Sequence, residues 1–172
     1  MTGAMTPAAR IDTAMNQTHW LAPGGATVAI CRVTYRMTDQ MGMVYYGNYM
    51  ELFEIGRVEL LRATGISYKQ MESEGFLLPV IHASCDYHLA ARYDDLLEIA
   101  TRIQNVSRAK IQFSYEIRRR GEDDLLAEGT TRHAYLSPEG KLRRMSRDWF
   151  EILDRVSKLG SDGQAARGNS QG

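Results

Sequence analysis

The sequence predicts an α+β fold in which one antiparallel sheet wraps around a single long, buried helix. A strand-like segment, a long apolar helix and four further strand-like segments follow one another in that order. The four later strands are joined by short connections, which favours antiparallel pairing. Several of them alternate apolar and polar residues with period two, so that one sheet face can cover the helix.

The 172 residues suffice for one domain with a substantial core. Residues 1–25 show no hydrophobic period and are interpreted as a flexible N-terminal tail. Residues 160–172 are poor in apolar side chains and are predicted to be a disordered C-terminal tail. The folded domain is therefore expected to span residues 26–159.

Local sequence patterns predict the first strand and the long helix. The segment "TVAICRVTYR", residues 27–36, is rich in β-formers and predicts the first strand. Asn48, with Glu51 three residues later, predicts a capping box at the start of the helix. Helical spacing predicts the buried stripe of this helix, which comprises Tyr49, Leu52, Phe53, Gly56 and Leu60. Gly65 is placed to end the helix.

Three of the later strands have an apolar face that can be read from the alternation. In the first of them this face comprises Ile81, Ala83, Cys85, Tyr87 and Leu89. In the second it comprises Leu97, Ile99, Thr101 and Ile103. In the third it comprises Ile111, Phe113, Tyr115 and Ile117. A last strand, "LLAEGTTRHAYL", precedes a closing helix for which Ser146 is the expected N-cap.

The segment "TDQMGMVYYGNYMELFEIGRVELL", residues 38–61, places an aspartate in a glycine-containing loop just before the helix. It resembles the acyl-CoA thioesterases of the 4-hydroxybenzoyl-CoA thioesterase type, which have the hot-dog fold. The matching positions are Asp39, Gly42, Val44, Tyr45, Asn48, Tyr49, Phe53, Glu54, Arg57 and Glu59.

The resemblance implies hydrolysis of an acyl-CoA thioester to a free acid and CoA, without a metal or redox cofactor. It makes Asp39 the catalytic carboxylate, either as a nucleophile or as a general base, and both roles stay open. It also assigns the backbone amide at Tyr46 to the developing oxyanion, with Gly47 allowing close approach of the substrate. One branch of the family has a histidine where this chain has Tyr46, so the substrate preference of that branch is not carried over.

Other roles are open for the acidic residues of this segment. Asp39 could serve only to form an Asx turn in its loop. Glu54 is a rival carboxylate, since some hot-dog thioesterases use one from the central helix. Pairing of Glu54 with Arg57 on the helix surface is the interpretation we favour.

Further residues are candidates for substrate binding. Gly42 belongs to the motif loop, and Tyr45, Tyr46 and Tyr49 could stack on an aromatic acyl group or belong to the core. Three cations could bind the phosphates of CoA or could form a solvated charged face. They are Arg108, Lys110 and Arg143.

Composition bears on partners and location. The chain has 21 basic and 21 acidic residues, so its zero net charge gives no reason to expect nucleic acid or an anionic membrane as a partner. The two cysteines, Cys31 and Cys85, predict free thiols in the cytoplasm. His82 and His88 share a strand face but lie about 20 Å apart, too far to share a metal ion.

The resemblance further implies a homo-oligomer, in which two protomers join their sheet edges and two dimers often form a tetramer. Other functions remain possible at this point. The chain could act on an acyl-carrier protein, could bind acyl-CoA or an acyl carrier without catalysis, or could be a hydratase or dehydratase. A hydratase would use a histidine that this motif lacks.

Overall fold

The computed structural model describes residues 21–22 and 24–165. They form a six-stranded antiparallel sheet in the order β1-β2-β4-β5-β6-β3, together with three α-helices. The strands are β1 (Leu21–Ala22), β2 (Ala26–Arg32), β3 (Val80–Tyr87), β4 (Leu96–Val106), β5 (Lys110–Arg119) and β6 (Leu125–Ala134). The helices are α1 (Tyr49–Ala63), α2 (Tyr68–Ser73) and α3 (Arg147–Ala165). The predicted α+β hot-dog architecture is confirmed.

The central strands β4 and β5 carry the apolar face that the alternation predicts. Ile99 of β4 pairs with Ile117 of β5 on one side and with Ala29 of β2 on the other. All eight predicted positions on β4 and β5 are buried. The confirmed pattern gives the sheet one continuous apolar face, against which α1 packs.

Two glycines allow α1 to approach this face closely. A Cβ at Gly56 would lie 2.2 Å from Oγ1 of Thr101 on β4. A Cβ at Gly129 on β6 would lie 2.8 Å from the ring of Phe53. The Phe53 ring stacks on Tyr115 at a centroid distance of 4.2 Å. The glycines therefore supply the space into which the helix and its aromatic side chain fit.

The edge strand β3 differs from the sequence prediction. Ile81, Tyr87 and Leu89 were expected on a covered apolar face, but each is about half exposed, and no residue of β3 is fully buried. The reason is geometric, because α1 packs on β2, β4 and β5. A helix about 10 Å wide covers roughly two strand spacings of about 4.8 Å, and β3 lies two strands beyond β5.

The start of α1 also differs from the prediction. A 3₁₀ turn over Tyr46–Asn48 runs directly into α1, so Asn48 already has helical backbone angles and makes no side-chain cap. Its side-chain amide donates instead to the carbonyl of Met37 at 2.8 Å. Glu51 pairs with Arg36 at 3.0 Å. The predicted capping box is therefore wrong.

The boundaries of several strands and helices also differ from the prediction. β2 ends at Arg32, and residues 35–37 form a 3₁₀ turn rather than a continuation of the strand. Leu21 and Ala22 pair with β2, so the sheet begins before residue 26. α3 continues past residue 159 to Ala165, and the Ser146 hydroxyl caps its start as expected, accepting from the amide of Trp149. The remainder of the two predicted tails, residues 1–20, 23 and 166–172, lies outside the described residues.

A chain of polar side chains runs through the core between β5 and β6. The hydroxyl of Tyr115 lies 2.6 Å from Oγ1 of Thr131, which in turn lies 2.9 Å from Nε2 of His133. Nδ1 of His133 lies 3.1 Å from the carbonyl oxygen of Leu78, to which it donates. His133 is completely buried, and burial lowers its pKa to about 4. The neutral ring is thus fully hydrogen-bonded within the fold.

Candidate active site

The loop before α1 is a tight hairpin built around Asp39. Thr38 and Val44 form an antiparallel bridge, and the amide of Asp39 donates to the carbonyl of Met43 at 2.9 Å. The amide of Gly42 donates back to the carbonyl of Asp39 at 3.0 Å. Gly42 has φ +72°, a conformation that glycine adopts without steric cost. Gly42 thus serves the hairpin backbone.

The Asp39 carboxylate is oriented by its own loop. Oδ1 accepts from the amide of Met41 at 2.8 Å, which is an Asx turn, and the amide of Met43 lies 3.5 Å from the same atom. Oδ2 has no hydrogen-bond partner among the residues that the structure describes. The turn that we considered as an alternative to catalysis therefore exists, but it engages one oxygen and leaves the other available.

Asp39 lines a cleft of about 260 Å³ between its loop and the end of β3. The residues from the loop side are Asp39, Met41, Met43, Val44 and Tyr46. The residues from the β3 side are Tyr87, His88, Leu89 and Ala90. Asp39 is the single carboxylate among these nine residues, and most of the remaining lining is apolar. The cleft therefore has one carboxylate, that of Asp39, in a mainly apolar lining.

The start of the helical segment faces the same cleft through Tyr46. Tyr46 and Gly47 open the 3₁₀ turn, and the first amides of a helix have no acceptor within it. The helix dipole adds partial positive charge at this end. The carbonyl of Met37 accepts both from the amide of Tyr45 at 2.9 Å and from the side chain of Asn48, which ties the helix start to the Asp39 loop.

Tyr87 is a cleft residue that the sequence analysis did not assign to the site. Its hydroxyl donates to the carbonyl of Tyr46 at 3.1 Å, and its ring meets that of Tyr49 edge-on at 5.1 Å. Burial of the hydroxyl, followed by its hydrogen bond with Cys85, raises the pKa of Tyr87 to about 12, although the ring itself is half exposed. The 41 residues between Tyr46 and Tyr87 leave no local sequence signal for this contact.

His88 was also left out of the expected site, yet it lines the cleft. Its Nε2 lies 3.1 Å from Oε1 of Glu128, across the β3–β6 pair. His88 directly follows β3, which ends at Tyr87. The position of that strand end opposite Asp39 depends on the tertiary structure and has no counterpart in the sequence pattern.

The other expected residues of the motif, Tyr45, Gly47 and Tyr49, lie in different surroundings. Tyr45 is half exposed and its ring lies 4.5 Å from that of Tyr46, whereas Tyr49 is buried in the core. Gly47 does not line the cleft. A Cβ at Gly47 would lie 2.9 Å from the Tyr45 ring, so this glycine accommodates Tyr45. Tyr49 thus lies in the core of the protomer, which is one of the two roles considered for it.

Glu54, the rival carboxylate, is not a lining residue of the Asp39 cleft. Its Oε2 lies 3.0 Å from Nη2 of Arg57, one turn further along α1. The Glu54 side chain is 63% exposed, whereas that of Arg57 is only 12% exposed. The helix-surface pair that we favoured from the i,i+3 spacing is therefore observed.

The three expected phosphate-binding cations lie on neighbouring segments, because the chain near Met145 pairs with the β4–β5 turn. Arg108 donates through Nε to the carbonyl of Met145 at 2.9 Å. Arg143 donates to the carbonyls of Glu74 and Gly75 and lies 3.9 Å above the Phe76 ring. Lys110 is exposed. None of the three cations lines the Asp39 cleft.

A second, larger cleft of about 320 Å³ lies over the sheet and shares no residue with the first. It is lined mainly by polar side chains of four strands, which include Ser84, Arg102, Ser114, Glu116 and Thr130. Arg102 and Glu116 already lie 3.8 Å apart. No helix start lines this larger cleft, so the smaller cleft is the better candidate site.

Comparison with known proteins identifies the family of the chain. The family model described as "Thioesterase superfamily" matches residues 41–126, half of the chain. The chain belongs to the thioesterase superfamily. The match begins two residues after Asp39 and covers the helix start and the end of β3, so it includes most of the residues that line the cleft.

Individual relatives and solved structures also match the chain. A protein of Aquifex aeolicus named as an esterase is 32% identical over 122 residues, which is 71% of this chain and 93% of the relative. The acyl-CoA thioester hydrolase YbgC of Escherichia coli is 34% identical over 86 residues, covering 50% of this chain and 64% of YbgC. The crystal structure of a DHNA-CoA thioesterase from Staphylococcus aureus superposes with a TM-score of 0.76 at 28% identity, covering 80% of this chain and 95% of that one.

The family match and the relatives together identify the protein as a thioester hydrolase with the hot-dog fold. Among the residues that the structure describes, no group of three or more His, Cys, Asp or Glu side chains is arranged to hold a metal ion. The same part of the chain contains no helix that is both long and apolar enough to cross a membrane.

Proposed function

We propose that the enzyme hydrolyses acyl-CoA thioesters with Asp39 as the catalytic carboxylate. The observation that carries this proposal is that one cleft holds both the unpartnered Oδ2 of Asp39 and the start of the helical segment at Tyr46. A thioester carbonyl bound there meets a base or nucleophile on one side and helix-start amides on the other.

The residues support two chemical routes. In the first, Oδ2 of Asp39 attacks the carbonyl carbon, the C–S bond breaks, and the CoA thiolate leaves a mixed anhydride that water hydrolyses. In the second, Asp39 takes a proton from water, the resulting hydroxide attacks the carbonyl carbon, and the proton passes to the departing thiolate. In both routes the amides of Tyr46 and Gly47 stabilise the oxyanion.

The lining of the cleft supports an apolar acyl group, either aliphatic or aromatic. Met41, Met43, Val44 and Leu89 supply apolar walls, and methionine side chains adapt to different shapes. YbgC is named for acyl-CoA thioesters in general, and the Staphylococcus aureus protein for the aromatic DHNA-CoA. The exposed ring of Tyr46, which lines the cleft and lies 4.5 Å from the ring of Tyr45, suits an aromatic acyl group.

Among the three expected cations, Lys110 is the best candidate to bind the phosphates of CoA. Its side chain is exposed, and no hydrogen bond or ion pair to another described side chain occupies its ammonium group. Arg108 and Arg143 already donate to backbone carbonyls, although a guanidinium has five N–H donors and retains some for an anion.

We also propose that the enzyme is a homo-oligomer, a dimer or a tetramer, that assembles through β3. This strand ends the sheet, and its outer edge has no pairing strand among the described residues. Val80, Ile81, Tyr87 and Leu89 are each between 48% and 49% exposed along it. A second copy paired at this edge would cover these side chains and would adjoin the cleft.

Assembly can be tested with matched substitutions on two sheet positions. Ile81→Lys on β3 is expected to give a monomer in analytical ultracentrifugation. Val28→Lys on β2, where the side chain is 44% exposed, should leave the assembly of the wild type intact. A wild type that sediments as a monomer contradicts the proposal.

The cytoplasmic location expected from the sequence is part of the same proposal. It is supported by Cys31 and Cys85, which are both free thiols in the structure.

The function is tested by thiol release from a panel of acyl-CoA esters, ranging from short and long aliphatic chains to benzoyl and phenylacetyl groups. Asp39→Asn is the informative variant, because an Asn carbonyl can still accept from the amide of Met41 and keep the turn. We expect kcat to fall at least about a hundredfold while the protein stays folded. Glu54→Gln is the matched acid-to-amide control and should keep wild-type activity.

Three results would change this assignment. Equal activity of wild type and Asp39→Asn removes Asp39 from the reaction. Loss of activity in Glu54→Gln alone moves the catalytic carboxylate to α1. Measurable binding of acyl-CoA without turnover by the wild type favours an acyl-carrier-protein substrate or a binding module.

A further inference from the structure

The carbonyl of Tyr46 accepts two hydrogen bonds. One comes from the backbone amide of Tyr49, within the helical segment. The other comes from the hydroxyl of Tyr87, at 3.1 Å, across from the end of β3. Both lone pairs of this oxygen are therefore engaged, which fixes the orientation of its peptide unit.

This peptide unit also contains the amide N–H of Gly47, because a peptide plane joins the carbonyl of one residue to the amide of the next. A donor that binds the carbonyl draws electron density toward oxygen and makes the N–H of the same unit a stronger donor. The bond also restrains the ψ angle of Tyr46, which sets the angle between the amides of Tyr46 and Gly47. Tyr87 thus polarises the Gly47 amide and restrains its angle to the amide of Tyr46, the residue that lines the cleft.

The Tyr87 hydroxyl is held in place by its surroundings. Its ring meets Tyr49 edge-on at 5.1 Å, and Tyr49 is buried in the core. Just after β3, the amides of His88 and Leu89 both donate to the carbonyl of Leu126, at 2.9 and 3.1 Å. The side chain therefore reaches Tyr46 from a backbone that is fixed to β6.

We propose that Tyr87 is a positioning residue for thioester hydrolysis, whose hydroxyl orients and polarises the Tyr46–Gly47 peptide so that the Gly47 amide, beside that of Tyr46, binds the oxyanion. This inference rests on the proposed function, in which these amides stabilise the oxyanion. The hydroxyl acts through the peptide and takes no part in bond making or breaking. Its removal should therefore lower the rate of the chemical step and leave substrate binding largely unchanged.

The decisive variant is Tyr87→Phe, which keeps the ring against Tyr49 and removes only the donor. We expect kcat to fall about tenfold on the best acyl-CoA substrate, with KM within about twofold of the wild type. The matched control is Tyr93→Phe, which removes the hydroxyl of another half-exposed tyrosine that stacks on Tyr35 outside the cleft. Tyr93→Phe should keep the wild-type kcat.

A second measurement separates positioning from packing. A ¹³C-carbonyl acyl-CoA is bound to Asp39→Asn, which slows turnover, and its infrared stretch is compared with that of the free ester. Polarisation by the amides shifts this band to lower frequency, and adding Tyr87→Phe should remove most of that shift. Incorporating 3-fluorotyrosine at position 87 keeps the donor and should keep both the shift and the kcat.

The outcomes distinguish this inference from the proposed function. An unchanged kcat in Tyr87→Phe overturns the inference, as does a raised KM at constant kcat, which would mean that Tyr87 contacts substrate directly. A lower kcat with an unchanged carbonyl stretch also overturns it, since packing alone then explains the loss. If the wild type hydrolyses no acyl-CoA ester, it is the proposed function that fails.

Discussion

Two tyrosines with similar chemistry serve two different regions of this thioesterase. Burial raises the pKa of both Tyr87 and Tyr115 to about 12, so both keep a neutral, donating hydroxyl. Tyr115 is 2% exposed and its hydroxyl bonds to Thr131 inside the core. Tyr87 is 48% exposed, and its hydroxyl bonds to a backbone carbonyl at the rim of a cleft.

The difference lies in what each hydrogen bond completes. The buried chain from Tyr115 through Thr131 to His133 ends on the carbonyl of Leu78, so every member has a partner and nothing is left over for a ligand. The cleft instead leaves Oδ2 of Asp39 without a partner among the described residues. Polar groups whose hydrogen bonds are all made within the protein stabilise the fold. A polar group that lacks a partner within the protein can bind a substrate and react with it.

The largest effect should come from protonating the buried chain. The folded-state pKa of His133 is about 4, below its unfolded value of about 6.5, so the unfolded state binds more protons between these values. Stability therefore falls as the pH drops from 6.5 to 4, by about 3 kcal/mol. Denaturant unfolding of wild type and His133→Gln across this range should show a flatter pH profile in the variant. Parallel profiles would contradict the assignment.

An intermediate effect should separate the two tyrosines. Tyr115→Phe removes a buried hydrogen bond and should lower the free energy of unfolding by about 1 to 2 kcal/mol, with kcat unchanged. Tyr87→Phe should do the opposite, lowering kcat while stability changes by less than about 0.5 kcal/mol, since its hydroxyl lies at the cleft. Chemical denaturation and steady-state kinetics on both variants check this. If each variant lost both kcat and stability, the proposed difference between the core and the cleft would be contradicted.

The smallest effect should come from the exposed pair that replaces the expected capping box. The side chains of Arg36 and Glu51 are 75% and 47% exposed, so water and salt screen their attraction. Arg36→Gln should change stability by less than about 0.5 kcal/mol and leave kcat as in the wild type. A thermal shift of several degrees would show that this ion pair contributes to holding the segment before α1 in place.

Sequence patterns predicted the core well because its side chains obey a local period. Leu97 to Ile103 on β4 and Ile111 to Ile117 on β5 alternate as expected, and all the predicted inward positions are buried. The same rule was wrong for β3, where Ile81 stays half exposed. Alternation shows that a strand has two faces, but it does not show whether the strand lies under the helix or beyond it.

The candidate site was predictable only in part. Asp39 and Tyr46 belong to one short segment, so a motif could bring them together, and the structure places both in one cleft. Tyr87 and His88 reach the cleft only because β3 pairs with β6 at the far end of the sheet. Asn48 looked like a cap because sequence spacing does not reveal a preceding 3₁₀ turn.

The position of β3 in the sheet has a consequence for how the protein is made. This strand leaves the ribosome before β4, β5 and β6, yet its partner within the described chain is β6, the last strand to be synthesised. At common translation speeds, roughly 2 to 10 seconds separate the two strands. Throughout that interval the apolar side chains of β3 have no neighbouring strand. The nascent chain is therefore most exposed to aggregation, and to capture by chaperones, just before its final strand emerges.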